Sequence, residues 1–171
     1  MNLKIKFFFI ILIFITGLSV NVKATGNLSN VEAMFIYNFL RHVNWPEGNG
    51  SENFVIGVYG NSDTYDQLIQ FTANRKVGTK SIEVRKISSV TEAVSCQLIF
   101  VPAESMSAIP QIKKQIGSQA CLIVGESEGS NSKGSTIEFI LKDNTLKFRI
   151  DQERAQEQNL LVSRALMDMS I

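Results

Sequence analysis

The residues that could do chemistry in this chain are few. Gly125-Glu126-Ser127-Glu128-Gly129 has the G-x-S-x-G spacing that sets a nucleophilic serine on a tight strand-to-helix turn. That chemistry needs an acid and then a histidine later in the chain. The only histidine, His42, lies upstream, and Ser130-Asn131-Ser132-Lys133-Gly134 reads as a loop leading into a strand. With no correctly ordered base, the motif reads as a polar loop after a buried strand. The same loop resembles a phosphate cradle. A Walker A loop, however, ends G-K-[ST], and Lys133-Gly134-Ser135 reverses Gly and Lys. Gly57 and Gly60 do not complete the dinucleotide fingerprint. One His, two widely separated Cys and scattered acids lack metal-ligand spacing. The sequence thus predicts no enzyme, no cofactor and no metal. His42 reads as a structural or surface residue, with a pH sensor as the alternative.

Lys4 and Lys6, an apolar run from Phe7 to Leu18, and small residues at Val22 and Ala24 form the pattern of a secretory signal peptide. The apolar run is too short for a membrane span of about twenty residues. Cleavage between Ala24 and Thr25 removes three lysines and no acid, taking the formal charge from +1 to −2. Residues 25–171 then form a single domain, with no stable membrane insertion. Near-neutral charge argues against nucleic acid, which is bound through basic patches.

Export changes the reading of Cys96 and Cys121. In an oxidising compartment two cysteines allow one intramolecular bridge. Closing that loop would contribute about 3.5 kcal/mol on the chain-entropy estimate. The alternative is two buried thiols.

The elements that must position these residues follow from periodicity. Val31, Met34, Phe35, Phe39 and Val43 form the stripe of a first helix, which ends before Trp45-Pro46. Glu47 to Asn53 reads as a loop. Phe54–Tyr59, Cys96–Val101 and Cys121–Val124 are near-continuous apolar runs, the mark of strands buried on both faces. Ser81–Ile87 alternates imperfectly, as a strand near a sheet edge does. Asp63 reads as the cap of a helix carrying Leu68 and Phe71, and Ile109, Ile112 and Ile116 lie on another, with Pro110 at its start and Gly117 after it. Ile137–Leu141 and Leu146–Ile150 alternate around Asp143-Asn144, a β-hairpin. Asp151 caps a terminal helical region that Asn159 breaks and Ser163 restarts. The order predicts a three-layer α/β domain with a flavodoxin-like, mostly parallel sheet, a C-terminal antiparallel hairpin and short terminal helices.

At this level the chain resembles the YfiR family of bacterial periplasmic proteins. The resemblance rests on FIYNFLRHVNWP (35–46), IGVYG (56–60), KVG (76–78), CQLIFV (96–101), LIVGE (122–126), Gly134 to Phe139 and Leu160 to Met167, in that order. It implies a regulator that binds the periplasmic sensor domain of a membrane-bound diguanylate cyclase and represses it, lowering cyclic di-GMP and biofilm formation. It also implies tuning by cysteine redox state. Relatives often carry a further cysteine in the first strand, where this chain has Gly57, so any switch here must use Cys96 and Cys121. A homodimer is compatible with this reading. A binding role needs apolar anchors in polar surroundings. The candidates are Tyr37, Arg41 and Trp45 on the first helix and its exit, with Leu166 and Met169 on the last helix. The competing function is a periplasmic small-ligand sensor acting on another membrane receptor, with its site near Gly60, Pro102 and Glu126 at the strand ends.

Overall fold

The computed structural model describes residues 25–46 and 52–171. The segment read as a signal peptide, up to its cleavage point after Ala24, and most of the loop after Pro46 lie outside the described residues. The first helix, α1 (Thr25–His42), carries its buried stripe on Ala33, Ile36, Phe39 and Leu40. This corrects the expected stripe: Met34 is exposed, and Val43 belongs to a two-residue strand, β1 (Val43–Asn44). Phe35 and Phe39 do pack on the sheet. Their rings meet Phe148 at 5.5 and 5.1 Å and Phe139 at 6.0 and 5.9 Å. Each such pair adds about 0.5–1.5 kcal/mol beyond area burial.

The main sheet contains β2 (Asn53–Tyr59), β3 (Lys76–Val77), β4 (Lys80–Ile87), β5 (Leu98–Val101), β6 (Leu122–Gly125), β7 (Ile137–Lys142) and β8 (Thr145–Ile150). Its order is β3-β4-β2-β5-β6-β7-β8. The run β4-β2-β5-β6-β7 is parallel, with the first, third and fourth long strands central, as the flavodoxin-like reading requires. The hairpin β7–β8 adds an antiparallel edge. Its turn residues Asp143 and Asn144 both have positive φ, at 50° and 58°, the type I′ geometry that matches strand twist.

Alternation divides the sheet between two helical layers. Phe54, Ile56, Val58, Leu98, Phe100, Leu122 and Val124 face α1 and α2 (Thr64–Thr72). Val55, Ile99, Val101, Cys121 and Ile123 face α3 (Ile109–Ile116), which buries Ile109, Ile112 and Ile116. Short 3-10 turns at Val90–Ser95 and Ala103–Ala108 flank β5. A one-turn helix, α4 (Ser130–Lys133), stands where a loop is expected. The chain ends with α5 (Gln152–Glu157), β9 (Leu161–Val162) and α6 (Arg164–Met169). Asp151 Oδ1 accepts from Arg154 N and Ser163 Oγ from Leu166 N, so both expected caps form. Asn159 is left-handed, with φ of 55°. The Asp63 cap does not form: Asp63 is itself helical in backbone, and the Ser62 hydroxyl accepts from Thr64 N instead.

Candidate partner-binding site

Pro46 cannot continue α1, and β1 pairs antiparallel with β9, Val43 with Val162, so the helix exit is stitched to the end of the chain. Trp45 then turns under the sheet. Its Nε1–H donates to the carbonyl of Gln97 at 3.0 Å, and its ring meets Phe54 edge-on at 4.8 Å. The indole therefore locks the exit to the N-terminal ends of β2 and β5. It stays half-buried, and beside it opens a groove of about 760 Å³. Leu40, Trp45, Phe54 and Val77 supply its apolar surface; Arg41, Lys76 and Lys80 supply its charge. No acidic residue is among the described lining residues. An apolar floor with a cationic rim fits an acidic, partly apolar segment of another protein.

The other candidates divide. Arg41 is exposed at this groove, and Tyr37 is half-buried beneath the Arg75 guanidinium, 4.3 Å from the ring centre. Leu166 is 1% exposed and packs in the α1-side core, so it presents no surface to a partner. Met169 is exposed at the far end of the same helix. His42 Nδ1 lies 3.2 Å from Ser163 Oγ, joining α1 to the cap of α6, a structural role.

The G-x-S-x-G loop is explained by the strand after it. Glu138 on β7 is 1% exposed. Its Oε2 accepts from the backbone N–H of Gly129 at 2.9 Å and of Asn131 at 3.0 Å, and its Oε1 accepts from Arg149 at 2.6 Å. The cradle that could hold an external anion is thus filled by the chain's own carboxylate. Gly125 serves packing, because a Cβ there would lie 2.2 Å from Ser130 Oγ. Ser127 rests against Met106, and His42 lies ten residues along α1 from Glu32, whose neighbour is Glu126. That separation is about 15 Å of helix, so no imidazole reaches the serine.

The profile of the YfiR/HmsC-like family matches residues 29–170. The chain belongs to the YfiR/HmsC-like family. This is a regulatory, periplasmic family, and among the described residues no helix is long and apolar enough to cross a membrane. No curated protein matches the sequence. A solved structure, the crystal structure of an ABC domain from Streptococcus pneumonia in complex with L-Trp, is similar with a TM-score of 0.54 and 14% identity. The match covers 83% of this chain and 59% of that one, less than two thirds of its length, and at this identity it shows the fold alone.

The two cysteines are Cys96 and Cys121. Both are buried and free in the structure. Pairing of Leu98 with Leu122 sets Cys121 level with Gln97, so Cys96 lies one residue further back. Both belong to the α3-side core. Burial pushes the Cys96 thiol up and the Cys121 thiol well up, the latter helped by Cys96, so neither is a ready nucleophile at neutral pH. Gly57 lies against Cys96: a Cβ there would be 2.7 Å from Cys96 Sγ.

Proposed function

We propose that this protein is a periplasmic repressor that binds the periplasmic sensor domain of an inner-membrane diguanylate cyclase and holds its cytoplasmic part inactive. Family membership supports the regulatory role. The observation that carries the binding mode is the groove at the exit of α1, lined by Trp45 together with Arg41, Lys76 and Lys80. The partner segment is acidic with an apolar anchor. Tyr37 extends this surface, Met169 lies outside it, and self-association into a homodimer belongs to the same reading.

Deleting the gene should raise cyclic di-GMP, and pull-down from membranes should recover the cyclase. Unchanged cyclic di-GMP would defeat the reading. A bridge between Cys96 and Cys121 is the oxidised form this compartment would favour. Mass spectrometry after alkylation without reductant tests it: two alkylated thiols in protein taken from the periplasm rule it out. The second reading, a ligand sensor acting on another receptor, draws on the crevice at the opposite end of the sheet, near Gly60, Pro102 and Glu126.

A further inference from the structure

At the C-terminal ends of β2, β5 and β6 the structure has a second cavity, of about 360 Å³. Each element around it contributes an acid: Glu32 from α1, Asp63 ahead of α2, Glu104 from the turn after β5, and Glu126 just after β6. No lysine, arginine or histidine is among the described lining residues. An acidic rim open to water is an ordinary surface. Glu32 is not part of such a rim, because it is 1% exposed, and a buried carboxylate has lost the water that stabilises its charge.

Two neighbours hold the Glu32 carboxyl. The Thr64 hydroxyl donates to its Oε2 at 2.6 Å, tying α1 to the first residue of α2. The carboxyl also meets that of Glu126 in a side-chain hydrogen bond. Two carboxylates offer acceptors and no donor, so this contact forms only while one of the pair carries a proton. No protein donor reaches Glu32 Oε1, which is closed to solvent. The surroundings decide where the proton sits. Glu126 is half-exposed, and its Oε2 accepts from the backbone N–H of Ala103, a bond that favours the carboxylate. Glu32 is buried, so it holds the proton and donates it to Glu126.

We propose that Glu32 and Glu126 form a proton-operated latch between α1 and the turn after β5, closed while the pair shares a proton and open once that proton passes to solvent. Glu126 is the link, because it touches Glu32 and also holds Ala103, the first residue of the 3-10 turn Ala103–Ala108. Loss of the proton leaves two like charges in contact, with Asp63 and Glu104 adding to the repulsion and no cation lining the cavity to offset it. Glu32 cannot reach water unless α1 moves. Glu126 can, since its side chain is half-exposed while its backbone N–H stays bonded to the Val101 carbonyl at 3.0 Å. The Glu126 side chain therefore swings out, and the Ala103 N–H loses its acceptor. Burial, opposed by the Thr64 hydroxyl and aided by the Glu126 carboxylate, pushes the Glu32 carboxyl up to about 7, so the latch works near neutral pH. It does not rest on the repressor reading, whose groove is at the other end of α1.

The test is an NMR titration of the purified protein, following the Glu32 side-chain carboxyl and the Ala103 amide. Both should move with one midpoint close to pH 7. Above it, Ala103 hydrogen exchange, corrected for its intrinsic pH dependence, should rise about tenfold or more. Glu32→Gln carries an amide that donates to Glu126 at every pH, so it should abolish the Ala103 transition and keep that amide protected. Glu126→Gln removes the opposing charge and should lower the Glu32 midpoint. Glu104→Gln, which shares the cavity and not the contact, should move it far less. Circular dichroism checks the fold of each variant. The proposal fails if the Ala103 amide of the parent protein does not titrate with Glu32, or if a folded Glu32→Gln protein keeps the Ala103 transition. It fails equally if Glu104→Gln moves the Glu32 midpoint as far as Glu126→Gln does.

Discussion

Glu32 couples two properties of a single residue, burial and charge. Burial pushes its carboxyl up to about 7 in the fold, from about 4.5 for an ordinary glutamate. Below pH 4.5 both states are protonated and Glu32 contributes no pH-dependent term. As pH rises toward 7 the unfolded chain releases its proton first, so the fold loses stability, and above 7 the full penalty of about 3 kcal/mol stands. Glu32→Gln keeps an acceptor for Thr64 and carries no charge. It should match the parent protein at pH 4 and exceed it by up to about 3 kcal/mol at pH 8, read from urea unfolding at the two pH values. Trp45 gives the opposite case, a residue whose polar atom is already satisfied. Trp45→Phe keeps the contact with Phe54 and loses only the bond to Gln97, which still accepts from Leu122 N. The expected loss is about 1 kcal/mol, and Trp45→Ala should lose about 2–3 kcal/mol by deleting the ring as well. Thermal unfolding separates the two variants.

Between elements, side chains substitute for partners that the backbone lacks. Glu138 reaches from β7 to the N–H groups around the start of α4, joining the turn after β6 to the strand beside it. Removing that carboxylate in Glu138→Ala should cost about 2–3 kcal/mol and speed proteolysis between Gly125 and Gly134. Gly125→Ala should likewise cost about 2–3 kcal/mol by overpacking against Ser130, since the glycine provides space for that side chain. Urea unfolding measures both. The caps at Asp151 and Ser163 act on a smaller scale, ordering the short helices α5 and α6.

For the molecule as a whole, α1 spans the sheet and connects its two ends. Its first half lines the acidic cavity with Leu28 and Glu32; its last turn lines the cationic groove with Leu40 and Arg41. Opposite charge at opposite ends is a property of the assembled domain and would orient it against a charged partner. If the groove is the repressor surface, a double charge reversal, Arg41→Glu with Lys76→Glu, should weaken cyclase binding at least about tenfold while leaving the unfolding midpoint nearly unchanged, because both side chains are exposed. Binding assays and calorimetric unfolding on the same protein check the two halves. Full binding by the doubly reversed protein would move the interface elsewhere.

The sequence by itself determined the order of elements, the parallel sheet with its antiparallel edge, and the absence of a correctly ordered triad around Ser127. These rest on local signals. Period-2 and continuous apolar runs set the strands, Asp143-Asn144 sets the turn, and Pro46, Gly117 and Asn159 stop helices through their own backbone preferences. It also carried the ordered motifs of the YfiR/HmsC-like family. Only the tertiary structure decided which face of α1 is buried, because Met34 and Ala33 both fit a helical stripe until the sheet chooses. It alone showed Leu166 in the core, His42 against Ser163, and Glu138 filling the loop that looked like an anion site. Glu32 left one trace in the chain, a carboxylate at helical spacing between Leu28 and Ile36 on the buried side. Nothing local gives that trace meaning: its surroundings are set by Thr64 and Glu126, dozens of residues away, and such contacts exist only once the chain has folded.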